Sequence, residues 1–256
     1  MLRNWFKKKD LPTVTFATTC WERDWRIILH DPQYLRVHQI GRHCFSFAET
    51  LLVINNVKDL SLVLKAAQEK VEEKILTRYV VADELAPQFL PHFALEKDPF
   101  LPGPDAKLYP NVNRDWIYYN ATGPLAAIFA AQSDYLLYMT GDVWLDEPVE
   151  WIEKALIRME KNPQYKVANL SWNRKFTEAK RESYRKERDF FISNSGFSDQ
   201  MFLVRKSDFC QPIYGEIRPD AHHFPRGDVF EKRVFSYMKN RGWERITFRH
   251  GSYTHI

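Results

Sequence analysis

Short apolar runs rich in β-branched residues recur along the chain, separated by segments of helical periodicity, and this alternation restricts the fold more than any other feature of the sequence. Residues 14–19, 49–55, 78–82, 135–139, 167–171, 201–204 and 245–248 read as strands. Residues 21–30, 59–76, 123–131, 148–162 and 228–241 read as helices. In the second of these, Leu60, Val63, Leu64, Ala67, Val71 and Ile75 share one face, and Asp59 and Ser61 offer N-cap oxygens. Pro148 suits a first helical turn, and Asp146 just before it reads as that helix's cap. Residues 96–113 carry Pro99, Pro102, Pro104 and Pro110 and read as an irregular crossing segment. The charged run 174–189 reads as a solvated helix with pairs such as Glu178–Arg181 and Glu182–Lys186; a basic lid over an anionic ligand is the alternative. Strands that alternate with helices are joined by right-handed crossovers. The expected fold is therefore α/β, a central, mostly parallel sheet flanked by helices on both faces. The 256 residues form a single domain in this reading, with 1–12 as a flexible N-terminus.

Composition narrows the function classes. A hydrophobic fraction of 45% with 15% aromatic residues supports a packed core and argues against disorder. The formal charge of +4 is too small to imply nucleic acid. Cys20, Cys44 and Cys210 are odd in number and widely spaced, which fits reduced thiols in a cytoplasmic protein better than a disulfide or zinc framework. No apolar run is long enough to span a bilayer, although Trp5, Phe6 and Lys7 to Lys9 could touch the inner face of a membrane peripherally. Walker A, GxGxxG, GxSxG and HExxH patterns are absent.

Ligands of open α/β sheets bind beyond the C-terminal ends of the strands. That directs attention to Thr19 to Arg23, Asn55 and Asn56, Asp83, and Thr140 to Asp142.

One stretch carries a family resemblance. Gly123-Pro124-Leu125-Ala126-Ala127-Ile128 is followed by Ser133-Asp134-Tyr135-Leu136-Leu137-Tyr138-Met139-Thr140-Gly141-Asp142. A helix of small residues leading into an apolar strand that ends in an acid resembles the GT-A glycosyltransferases. In that family the acidic motif is usually Asp-x-Asp, and it holds a divalent cation against the donor's diphosphate. Here Thr140 replaces the first acid, so only Asp142 matches. The resemblance implies Mn²⁺ or Mg²⁺, a nucleotide diphospho-sugar donor and a carbohydrate or glycolipid acceptor, for polysaccharide or glycoconjugate synthesis. It implies donor contacts at Thr19, Trp21, Arg23, Asn55, Asn56, Asp83 and Thr140. It places a metal-binding His after the last strand, at His255 or His250, and a general base at Asp228, with Asp199 as second choice. Each has a bland counterpart. Thr19 can cap a helix, the two Asn can form Asx turns, and Asp228 with Glu231 resembles a capping box. Two other readings compete. A sugar nucleotidylyltransferase would carry a Gly-rich loop after the first strand, where this chain has Thr18-Thr19-Cys20-Trp21-Glu22-Arg23-Asp24. A catalytically degenerate GT-A-like domain that binds carbohydrate or nucleotide is favoured by Thr140.

Overall fold

The computed structural model describes residues 11–95, 114–194, 196–223 and 229–255. The ten strands among them are β1 (Val14–Cys20), β2 (Glu49–Ile54), β3 (Arg78–Val81), β4 (Tyr135–Met139), β5 (Val143–Leu145), β6 (Tyr165–Trp172), β7 (Arg185–Glu187), β8 (Phe190–Ser193), β9 (Met201–Arg205) and β10 (Glu244–His255). They join in one sheet of order β3-β2-β1-β4-β9-β6-β10-β8-β7, with β5 added on β10. The helices are α1 (Trp25–His30), α2 (Leu60–Glu72), α3 (Ala82–His92), α4 (Arg114–Ala130), α5 (Ile152–Lys161), α6 (Phe176–Glu182), α7 (Lys206–Phe209) and α8 (Val229–Arg241).

The expected parallel core is β3-β2-β1-β4. Strand β9 then runs antiparallel between β4 and β6, and β10 returns parallel to β6. Consequently β1, β2, β4, β6 and β10 all end at one edge of the sheet, where β9 begins.

Period-two alternation explains how helices cover both faces. On β4, Leu136 and Tyr138 pack with Ala121, Leu125 and Ala126 of α4 and with Phe230 and Val234 of α8. Tyr135, Leu137 and Met139 face the other way, toward Trp151, Ile152 and Leu156. Farther along that second face, Leu52 and Ile54 meet Ile28 of α1 and Val63 and Ala67 of α2. Asp59 caps α2 as expected, accepting from Leu62 N–H at 3.2 Å. The three cysteines are free, and no helix among the described residues is long and apolar enough to cross a membrane.

Several boundaries differ from the sequence reading. Helix α1 starts only at Trp25, after a turn in which Asp24 Oδ1 accepts from Trp21 N–H at 2.7 Å. Helix α3 runs on directly from β3 despite Pro87 and Pro91. Helix α5 starts at Ile152 rather than Pro148, and Asp146 does not cap it; Asp146 accepts from the Thr254 hydroxyl at 2.7 Å and pairs with Arg174. The charged run is helix only over α6 and then turns into the β7–β8 hairpin. Its ion pairs include Lys175–Glu178, Arg174–Asp146, Arg185–Glu187 and Glu182–Arg245, so Glu178 and Glu182 take partners other than the expected Arg181 and Lys186. Strand β10 extends seven residues past the expected end at Phe248. Residues 96–113, the N-terminal residues 1–10 and Asp228 lie outside the described residues.

Candidate functional site

The sheet edge where these strands end opens into a cleft of about 1250 Å³. Its wall includes Thr19, Trp21, Asp24, Asn55, Asn56, Thr140 and Asp142 on one side. Asn169, Trp172, Asp199, Gln200, Glu231, Arg245 and His255 line the other.

Asp142 sits in the turn from β4 to β5, and His255 closes β10. Their side chains meet, with His255 Nε2 3.2 Å from Asp142 Oδ2. The contact depends on an irregularity in β10. Its register on β6 shifts between Phe248 and Ser252, so that Tyr253, Thr254 and His255 also pair antiparallel with β5. An extra run of residues in one strand re-aims the side chains beyond it. His250 lies in that irregular stretch and turns to Asp189, 3.5 Å away; it is not on the cleft wall.

Burial by itself would raise the Asp142 pKa. Burial is the largest single influence, but the hydrogen bond from His255 and the smaller lowering contacts together outweigh it and hold the carboxyl below the usual carboxylate range, so it is ionised at neutral pH. The Thr140 hydroxyl adds to this from close by, short of a full hydrogen bond, since its oxygen is buried without a partner.

The turn that carries Asp142 is held from below by residues that the sequence did not single out. Residues Tyr34–Ile40 form a π-helical segment. From it the Tyr34 hydroxyl donates to the Gly141 carbonyl at 2.6 Å. The buried Gln39 amide donates toward the carbonyls of Thr140, Gly141 and Val143 at 3.2, 3.3 and 2.9 Å. Gly141 must be small. A Cβ there would collide with the Thr19 carbonyl oxygen and lie 2.8 Å from Asp24 Oδ2. Asp24 is the other residue overlooked. Burial raises its pKa to about 7, against the Trp21 N–H hydrogen bond and with help from the Asp142 charge.

The remaining candidates divide. Gly123 of α4 packs against the strand ends, where an added Cβ would stand 3.0 Å from Thr19 Cγ2 and 3.3 Å from Asn55 Nδ2. This is the close helix–sheet approach expected of the small residues. Thr19 lies 3.3 Å from the Tyr138 hydroxyl and lines the cleft. Asn55 lines it too, but its amide donates to the Tyr119 carbonyl at 2.6 Å. Asn56 takes a left-handed turn, φ 51°. Trp21 lines the cleft, whereas Arg23 stacks over the Trp21 ring and is not on the wall. Asp83, in the first turn of α3, also lies off the wall. Asp199 and Glu231 both line the cleft.

No family model matches the chain, and no curated protein matches it in sequence. Solved structures do match in fold. Over 97% of its length the chain resembles GalNAc-T7, solved with UDP, GalNAc and Mn²⁺, at a TM-score of 0.56, 12% identity and 44% of that chain covered. Over 95% of its length it resembles the mannosyltransferase PcManGT from Pyrobaculum calidifontis, solved with GDP-Man and Mn²⁺. There the TM-score is 0.52, the identity 12% and the coverage of that chain 56%. The fold is GT-A-like. The chain spans about half the length of these two proteins. Asp142 lies on the cleft wall just past the end of β4, as expected from the sequence, with Thr140 two residues before it.

Proposed function

We propose that the chain is a glycosyltransferase that moves a sugar from a nucleotide diphospho-sugar to a hydroxyl acceptor. The observation that carries the reading is the Asp142–His255 pair at 3.2 Å on the wall of the large cleft. A carboxylate and a neutral imidazole are suitable ligands for Mn²⁺, and Mg²⁺ would lean on the carboxylate alone. Among the described residues no group of three such side chains stands together. The protein would thus supply two ligands and leave the other positions to phosphate oxygens and water. When bound, the cation supplies charge neutralisation for the departing nucleoside diphosphate. For the chain's own part, Thr19, Trp21 and Asn56 border the space for the nucleotide. Tyr34 and Gln39 hold the turn in register, and the ionised Asp142 is ready to ligate without losing a proton. Asp199 lines the cleft where a base could take the acceptor proton, and Asp228 remains the first candidate for that role on sequence grounds.

A second reading, a GT-A-like domain that binds nucleotide or sugar without transfer, is favoured by Thr140 at the first motif position. Calorimetric titration of UDP and GDP, with and without Mn²⁺, tests the metal site. Wild type should gain affinity with Mn²⁺, and Asp142→Ala should lose that gain. Equal affinities in the two proteins with metal present would overturn the assignment. Release of free nucleoside diphosphate from sugar donors then separates transferase from binding domain.

A further inference from the structure

Beyond the Asp142–His255 pair the cleft continues over β6 and β10. In-register pairing of Thr247 with Asn169 puts Asn169 and Ser171 of β6 beside Arg245 and Thr247 of β10 on one face. All four line the cleft and are at most 7% exposed. A buried polar floor is costly unless its groups find partners. The Thr247 hydroxyl donates to Asn169 Oδ1 at 2.8 Å, and Arg245 Nη2 donates to Glu182 at 2.9 Å. Ser171 Oγ and Arg245 Nε have none. The chain also makes room for the guanidinium. Gly196 has φ +80°, and a Cβ there would stand 2.9 Å from Arg245 Nη1.

Trp172, at the rim, is 38% exposed, and it alone among the large exposed apolar side chains described lies on the cleft wall. The Lys175 ammonium rests 3.5 Å from its ring centre, in the place a stacked ring would take. Around this compartment the wall carries the carboxylates Glu178, Glu182, Asp199, Asp220 and Glu231 against the cations Lys175, Lys239 and Arg245, a balance that disfavours an anionic ligand on this side of the cleft. Buried amide, hydroxyl and guanidinium groups beside an accessible indole match a ligand with many hydroxyls and an apolar ring face.

We propose that this compartment binds a neutral glycoside as the acceptor, its ring against Trp172 and its hydroxyls on Asn169, Ser171, Arg245 and Glu182. Only the word acceptor rests on the transferase reading, because binding is measurable without a donor. The test is saturation-transfer NMR with titration of four probes: methyl α-mannopyranoside, methyl β-N-acetylglucosaminide, sodium glucuronate and a Ser/Thr-containing peptide. At least one neutral glycoside should bind, more tightly than glucuronate or peptide. Trp172→Ala should weaken it about tenfold, as expected for loss of an aromatic contact, with an unchanged melting temperature and UDP or GDP affinity. Asn169→Ala probes the floor, and Trp172→Ala decides where that buried variant fails to fold. Absence of saturable glycoside binding, preference for glucuronate or peptide, or unaltered binding by Trp172→Ala overturns the proposal. Failure of wild type to bind either nucleotide would instead sink the transferase reading and leave the glycoside result standing.

Discussion

Asp24→Asn should make the protein more stable at pH 8 and leave stability at pH 4 nearly unchanged. In the folded chain Asp24 titrates near pH 7, raised from 3.8 chiefly by burial and further by the Asp142 charge. Between those two values the folded state holds a proton that the unfolded state has released. Stability therefore falls as pH rises through this window and is lowest above pH 7. A shift of about 3 units corresponds to about 4 kcal/mol at most. The carboxyl borders the cleft, and water reaching it reduces the effect to ~2–3 kcal/mol. Asn keeps the acceptor for Trp21 N–H, now 2.7 Å from Asp24 Oδ1, and has no charge to desolvate. With a urea m-value of about 3 kcal/mol/M, the unfolding midpoint should rise by about 0.7–1 M at pH 8. His43 works in the opposite sense over nearly the same window. Complete burial lowers its pKa to about 3, so stability contributed by the neutral ring is lost as pH falls below about 6.5. The wild-type pH profile thus conceals both groups, and the difference between Asp24→Asn and wild type is the informative quantity. A difference that stays constant from pH 4 to pH 8.5 would refute the argument. Asp142→Asn should shrink the difference, since it removes one of its causes.

Three further expectations concern other sites. Gln39→Leu leaves the Thr140 and Val143 carbonyls without their side-chain donor and Gly141 with the Tyr34 hydroxyl alone, and should cost about 1–3 kcal/mol, measured by urea unfolding, together with Mn²⁺-linked nucleotide affinity. Glu49→Ala, at the far end of the sheet, removes the carboxylate partner of Arg78 and the acceptor of the Gln132 N–H, which Glu49 now binds at 2.7 and 2.9 Å; about 3 kcal/mol should be lost, with nucleotide affinity in the surviving folded protein unchanged. Asp228→Asn and Asp199→Asn should be compared for turnover and melting temperature. The residue that serves as base loses about 10²–10⁴-fold in rate with its stability kept, and near-normal turnover in both removes both from the mechanism.

Local physical signals made the α/β class, the parallel β1–β4 core and the Asp142 turn legible in the sequence. A continuous apolar run marks β4 because both of its faces are covered, each by a different helix layer, and Asp59 marks the start of α2 by its own hydrogen bond. Gly123 and its small neighbours record how closely α4 approaches the strand ends. Other features arise only from long-range contacts. The π-helical segment that supplies Tyr34 and Gln39 has no periodic signature, and its function is to meet a turn about a hundred residues later. Asp24 looks like any polar residue after a strand, and it acquires its raised pKa only when the fold buries it beside Asp142. The irregularity in β10 brings His255, rather than His250, to Asp142. Nothing in the sequence around either histidine distinguishes them. What does is the pairing of β10 with both β6 and β5, which exists only once the sheet is assembled.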